Sequence, residues 1–183
     1  MKTDTKKLVL SGVFLALGLV LPFLTMQVPS IGNMLLPMHI PVLLCGFVCG
    51  APYGLMVGFL TPLVRSVLFG MPKLFPMASG MAFELAAYGC LAGLFYKLLR
   101  EKREVIRMYA SLLLAMLGGR IVWAVAAKLF YTMAGMNFTI QVFVAGAFFN
   151  AVPGIILQLV LIPAVVFALK KAGVKWNEYE FGV

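Results

Sequence analysis

The chain has 183 residues, a length typical of one domain. Hydrophobic residues make up 63% of it and charged residues 11%, and the mean hydropathy is +1.03. Water-soluble domains are about half apolar and about a quarter charged, so this composition excludes that class and indicates an integral membrane protein. The formal net charge of +9 does not indicate nucleic-acid binding, because the basic residues lie between apolar segments and have no folded soluble surface.

Six apolar segments predict an all-α protein with six transmembrane helices, since about 20 apolar residues in a helix cross the hydrocarbon core. The first segment follows MKTDTKK, and no small-residue cleavage site follows it, so we expect an uncleaved span. The second segment is the shortest, and Pro41 is tolerated there because it lies in the first turn. The spans form a single domain, 1–183, and are predicted at 8–25, 38–50, 52–70, 77–98, 108–131 and 142–169.

The basic residues predict the orientation, because lysine and arginine concentrate in cytoplasmic loops. Eleven of the fifteen lie in three regions that six spans place on one side. The opposite side receives three loops that carry only Lys73. We therefore expect both termini in the cytoplasm of a multi-pass protein of the cell membrane. The eleven residues are Lys2, Lys6, Lys7, Lys97, Arg100, Lys102, Arg103, Arg107, Lys170, Lys171 and Lys175.

Six polar residues remain within the spans or at their outer ends. A charge at mid-bilayer costs about 2.5–3.5 kcal/mol, and such residues usually face the bundle interior or a water-filled cavity. Five of the six fall in the predicted outer half, on five different helices, which indicates one shared small-molecule pocket. The candidate binding residues are His39, Arg65, Glu84, Arg120, Lys128 and Asn150.

Simpler interpretations exist for several of these residues. Lys128 and Arg65 can extend to the outer headgroups, and Glu84 can be a structural ion-pair partner of Arg65 or Arg120. Arg120 is too deep for the headgroups and needs a partner or a ligand.

His39 can be an interfacial residue without a ligand. Asn150 can bind a backbone carbonyl left unpaired by Pro153, whose nitrogen has no hydrogen to donate.

Small residues form two patterns. Gly12 and Ala16 put small side chains on one face of the first span, where another helix can approach closely. Packing within the bundle and docking of another membrane subunit both explain this pattern. Glycine recurs at every fourth position from Gly46 to Gly58, and we interpret it as scaffold.

Other functional classes receive little support from the sequence. It has no P-loop and no HExxH motif, a single histidine cannot supply a bis-His haem site, and no serine lies in a glycine-flanked nucleophile context. Cys45 and Cys49 share a helix face but have no nearby histidine or acid for a metal site. We predict no catalytic residues, metal or cofactor. An intramembrane enzyme or a structural membrane subunit is the alternative hypothesis.

Four local patterns add a family resemblance over essentially the full length: LPMHIP at 36–41, GFVCGAPYG at 46–54, FELAAYG at 83–89 and FNAVPG at 149–154. With six spans and both ends inside, the chain resembles the substrate-binding (S) component of energy-coupling factor (ECF) vitamin importers.

The resemblance implies capture of a vitamin on the outer face, followed by association with a membrane coupling subunit and two ATPase subunits, which bind the ATP. The Ala-xxx-Ala docking motif of the family falls on Gly12 and Ala16, with glycine replacing the first alanine.

The charge balance of the candidate pocket favours an anionic ligand, and pantothenate fits it. Glu84 can instead bind ring N–H groups, as in a queuosine precursor, riboflavin or a folate-like pterin, so these ligands remain open.

Overall fold

The computed structural model describes residues 2–25, 34–136, 139 and 151–172. Within these ranges it contains α-helices and no β-strand, which confirms the all-α prediction. A 3₁₀ turn (Leu21–Thr25) continues the first helix, and a wide turn (Leu74–Ala78) precedes the fourth. The described helices are α1 (Lys2–Val20), α2 (His39–Cys49), α3 (Ala51–Phe69), α4 (Ser79–Leu98), α5 (Glu104–Met133) and α6 (Val152–Lys171).

Five of the six described helices are long and apolar enough to cross a bilayer. The exception is α2, which has 11 residues and is therefore about 16 Å long, against a hydrocarbon core of about 30 Å. The chain is thus a multi-pass membrane protein, while a membrane crossing by the second predicted span, which contains α2, stays a prediction. The predicted sixth span begins at residue 142, but residues 142–150 lie outside the described part.

Although short, α2 is the most enclosed helix: every residue from His39 to Cys49 is buried. It packs against α1, α3, α4 and α6. Leu36 has a positive φ of 50° just before α2, and Gly50 has a φ of 98° just after it, so the backbone turns at both ends. Irregular backbone at membrane depth is tolerated where protein surrounds it, and this enclosure explains how a short helix can lie in the bundle.

Glycines bring α2, α3 and α4 into backbone contact. A Cβ atom added to Gly46 would lie 2.3 Å from the carbonyl oxygen of Gly89, and one added to Gly54 would lie 2.4 Å from the same oxygen. A Cβ atom on Gly58 would lie 2.2 Å from the carbonyl oxygen of Leu85. No larger side chain fits at these distances, and the scaffold interpretation of the glycine pattern is confirmed.

The bundle has two distinct ends. At one, which we call the His39 end, α2 begins, and the backbone of Gly154 near the start of α6 touches Met34 and Leu35. At the other, the Tyr96 end, α4 finishes and an ion pair between Lys170 and Glu104 joins the end of α6 to the start of α5. The two ends carry different polar clusters.

Candidate functional site

Glu84 on α4 is the centre of the polar site. Its side chain is only 3% exposed, and a buried carboxylate needs a partner to be tolerated. The Arg120 Nη1 atom on α5 donates a hydrogen bond of 2.9 Å to Glu84 Oε1. The Nε2 atom of His39 on α2 lies 3.5 Å from the same oxygen. Three helices thus place an acid, a guanidinium and an imidazole together.

Tyr88 extends this site by one turn of α4. Its ring meets the His39 ring edge to face, with centroids 5.0 Å apart and an interplanar angle of 89°. Gly119 on α5 allows the approach, because a Cβ atom there would lie 2.2 Å from Tyr88 Cδ2. We call His39, Glu84, Tyr88 and Arg120 the Glu84 cluster.

Several buried polar atoms of the Glu84 cluster have no hydrogen-bond partner among the described residues. They are Nε and Nη2 of Arg120, both ring nitrogens of His39 and the hydroxyl of Tyr88. The Nε and Nη2 hydrogens of an arginine point in parallel and match the two oxygens of a carboxylate. Arg120 therefore holds Glu84 with one nitrogen and keeps a two-donor edge for another acceptor.

Arg65 has different contacts from the Glu84 cluster. Its Nη1 atom donates a hydrogen bond of 2.5 Å to the carbonyl oxygen of Leu19 near the end of α1. Its guanidinium carbon lies 4.9 Å from the ring centroid of Phe23 and 5.3 Å from that of Phe69. A cation is favourable at the carbonyl end of a helix, so these contacts fasten α1 to α3.

The other predicted site residues lie elsewhere or outside the described ranges. Lys128 is exposed on α5, two turns beyond Arg120, and Asn150 lies outside the described residues. Gly12 and Ala16 are exposed on α1, and a Cβ atom on Gly12 would meet nothing within 4 Å. By contrast, a Cβ atom on Gly18 would lie 2.7 Å from Thr61 Cγ2. The face of α1 that carries Gly12 is therefore open.

Sequence reasoning missed two buried polar residues. Tyr88 and Gln158 are both fully buried, and the Gln158 side-chain amide has no partner for either Oε1 or Nε2 among the described residues. Each had a usable signal: Tyr88 follows Glu84 by one helical turn, and Gln158 is the single amide in the apolar helix α6.

The described residues contain no group of three His, Cys, Asp or Glu side chains that could hold a metal ion. The Glu84 cluster combines hydrogen-bond donors with a buried carboxylate, and such groups can take part in non-covalent binding of a small molecule.

In a comparison with known protein families, the family described as ECF transporter, substrate-specific component, matches residues 6–174. No curated protein and no solved structure matches the chain. The matched range includes every helix that contributes to the Glu84 cluster.

Proposed function

Because the chain belongs to the family of substrate-specific components of ECF transporters, we propose that its Glu84 cluster binds a small carboxylate vitamin, with pantothenate as the leading candidate. As a member of this family, the chain is a substrate-binding subunit of a transporter and not an enzyme. The identity of the ligand and of the residues that hold it is the proposed part.

The unpartnered Nε and Nη2 atoms of Arg120 carry the proposal. Buried donors are normally paired, and this pair has the geometry that a carboxylate accepts. His39, whose ring nitrogens have no hydrogen-bond partner among the described residues, can donate to the same anion through a ring N–H. Glu84 then orients Arg120 and does not contact the ligand carboxylate.

A second ligand class follows if Glu84 itself faces the ligand. A carboxylate accepts hydrogen bonds from ring N–H groups, which a queuosine precursor, riboflavin or a folate-like pterin would supply. The 2.9 Å bond from Arg120 to Glu84 favours the anionic ligand, since that carboxylate already has a partner.

Substitution of Arg120 by lysine tests the carboxylate proposal. Arg120→Lys keeps the charge near Glu84 but removes the parallel donors, so we expect pantothenate binding by the purified chain to weaken about 10–100-fold. Isothermal titration calorimetry measures the dissociation constant directly. Mass spectrometry of small molecules that co-purify with the wild-type protein identifies the ligand independently.

The control is Arg107→Lys. Arg107 also lies on α5, but at the Tyr96 end, where its Nε atom bonds the carbonyl oxygen of Tyr96. This variant should bind pantothenate as the wild type does. Equal affinities of the wild type and Arg120→Lys for pantothenate would contradict the proposal, and a retained uncharged ring compound would favour the second ligand class.

We also propose that the His39 end faces the outside and that both termini are cytoplasmic, with six crossings. Two observations support this orientation. The basic linker between α4 and α5 lies at the Tyr96 end, and the Lys170–Glu104 ion pair brings the basic end of α6 to the same place. In a background without native cysteines, Lys73→Cys should react with an impermeant maleimide from outside and Lys102→Cys only after permeabilisation. The reverse pattern would overturn the orientation.

The open face of α1 supports docking of a membrane coupling subunit, which would work with two ATPase subunits. Gly12 and Ala16 leave room there for the backbone of a partner helix. We expect Ala16→Trp to prevent co-purification with the coupling subunit and to leave pantothenate binding unchanged. Val67→Trp on α3, at a position 74% exposed, is the matched control and should retain the partner. If the coupling subunit co-purified with both variants, α1 would not be part of the interface.

A further inference from the structure

Gln158 on α6 is a buried amide that the Glu84 cluster does not account for. Its residue exposure is 0%, and neither Oε1 nor Nε2 has a partner among the described residues. It lies in the otherwise apolar sequence VPGIILQLVLIPAVV. A side-chain amide offers one acceptor and two donor hydrogens, and burying it unpaired is unfavourable. Such a group indicates a hydrogen-bond partner outside the described residues.

The packing of α6 places Gln158 close to the level of the Glu84 cluster. At the His39 end, Gly154 touches Met34 and Leu35 just before α2, and Gln158 lies one turn further, about 6 Å deeper. At the Tyr96 end, the Lys170–Glu104 pair aligns α6 with α5.

Gln158 precedes Lys170 in α6 by as many residues as Met116 follows Glu104 in α5. Because the two helices are antiparallel and the Lys170–Glu104 pair aligns them, Gln158 lies level with Met116. Met116 lies one turn before Arg120, so Gln158 lies about 6 Å from Arg120 along the bundle, toward the Tyr96 end.

Tyr88 belongs to the same deeper layer. It follows Glu84 by one turn in α4, is fully buried, and its hydroxyl has no partner among the described residues. The α-carbons of the site therefore fall in two layers: those of Glu84 and Arg120, and those of Tyr88 and Gln158 about 6 Å further in.

We propose that Gln158 is a specificity-determining residue of the binding site and, with Tyr88, binds an amide group of a ligand whose carboxylate is held by Arg120. The proposal rests on the proposed function of the Glu84 cluster and deepens it: Gln158 would select acids that carry an amide close to the carboxylate, as pantothenate does. The amide of Gln158 can accept from the N–H and donate to the C=O of such a ligand. A site built to form these bonds discriminates strongly against an analogue without them, because its buried polar groups are then left unpaired.

Two small acids of equal chain length test this layer. N-acetyl-β-alanine has a carboxylate and a secondary amide separated by two carbons, and hexanoate has the carboxylate alone. We expect the wild-type protein to prefer N-acetyl-β-alanine by at least about 10-fold, measured by calorimetry or by ligand-observed NMR at millimolar concentrations. In Gln158→Leu this preference should fall to about two-fold or less, with hexanoate binding retained.

Ser111→Ala is the matched control. Ser111 on α5 is also fully buried and its hydroxyl has no partner among the described residues, but it lies nearer the Tyr96 end. Its substitution should leave the preference unchanged. The thermal unfolding midpoint of Gln158→Leu should equal or exceed that of the wild type, because the leucine leaves no polar atom unpaired.

The outcomes separate the two proposals. If both acids bind in an Arg120-dependent way and Gln158→Leu keeps the full preference, the role of Gln158 is overturned and the carboxylate site stands. A lower unfolding midpoint with the preference intact would likewise make Gln158 a structural residue. If neither acid binds, or if Arg120→Lys binds both as the wild type does, the carboxylate site itself is contradicted.

Discussion

The bundle carries two polar clusters of similar composition, one at each end. The Glu84 cluster and the Tyr96 cluster (Tyr96, Glu104, Arg107 and Lys170) both combine a tyrosine of α4 with an arginine of α5 and a glutamate. In the Tyr96 cluster both cations have partners: the Arg107 guanidinium carbon lies 3.8 Å from the Tyr96 ring centroid, and Lys170 pairs with Glu104. In the Glu84 cluster, Arg120 keeps two nitrogens without a partner among the described residues.

Burial makes this difference informative. The Glu84 side chain is 3% exposed and that of Glu104 is 48% exposed, so water can satisfy the second and not the first. A hydrogen-bond donor without a protein partner is unremarkable at an exposed end, because water can bind it. In a buried cluster the same donor is a candidate contact for a ligand. This difference supports the proposal that the Glu84 cluster binds a ligand, while the Tyr96 cluster holds the ends of α4, α5 and α6 together.

The largest expected difference between the two ends is the loss of stability when the glutamate of each cluster is replaced by alanine. Glu84→Ala leaves the Arg120 charge buried without its partner, which costs about 3–5 kcal/mol of stability. Glu104→Ala removes an exposed pair worth at most about 1 kcal/mol. Thermal unfolding in detergent should show a much lower midpoint for Glu84→Ala than for Glu104→Ala.

Glu84→Gln separates charge from shape in the same experiment. The amide can still accept from Arg120, so its unfolding midpoint should lie between those of the wild type and Glu84→Ala. Equal midpoints for Glu84→Ala and Glu104→Ala would show that Glu84 does not carry a buried charge pair.

The two tyrosines of α4 give a second, smaller contrast. Tyr88 is fully buried and Tyr96 is 2% exposed. The Tyr88 hydroxyl has no hydrogen-bond partner among the described residues, whereas the Tyr96 side chain interacts with the Lys170 ammonium. We expect Tyr88→Phe to weaken pantothenate binding about 5–10-fold, the value of one hydrogen bond, and Tyr96→Phe to have no effect on binding.

Both phenylalanine variants should unfold at about the wild-type temperature, because each keeps the ring and loses only the hydroxyl. Calorimetric titration of the two purified variants measures the contrast. An equal loss of affinity in both would place the ligand contact outside the Glu84 cluster.

The sequence predicted the helices and part of the site for identifiable physical reasons. Apolar length and basic linkers are local signals, and they led to an all-helical membrane protein. The pairing of Glu84 with Arg120, by contrast, depends on how α4 and α5 pack, and Arg65 was an equally good partner on depth alone. Arg65 contacts Leu19 instead, which depends on where α1 ends.

Tyr88 and Gln158 were missed for another reason. Neither carries a charge, and a tyrosine or glutamine in an apolar helix is common enough to pass unnoticed. Their significance appears only when burial and the lack of partners are known, and both properties depend on the neighbouring helices.

Lys128 gives the smallest expected effect. It is exposed on α5, about 12 Å beyond Arg120 toward the His39 end. This distance exceeds the Debye length of about 8 Å at physiological salt, so the charge acts on an approaching anion mainly at low salt. Lys128→Gln should slow pantothenate association about two-fold at low salt, with little effect above 0.15 M salt and an unchanged dissociation rate. Stopped-flow fluorescence measures both rates, and Lys102→Gln at the Tyr96 end is the control. A loss of affinity of ten-fold or more that persists at high salt would instead place the Lys128 ammonium in direct contact with the ligand, and the binding site would then extend to the mouth of the bundle.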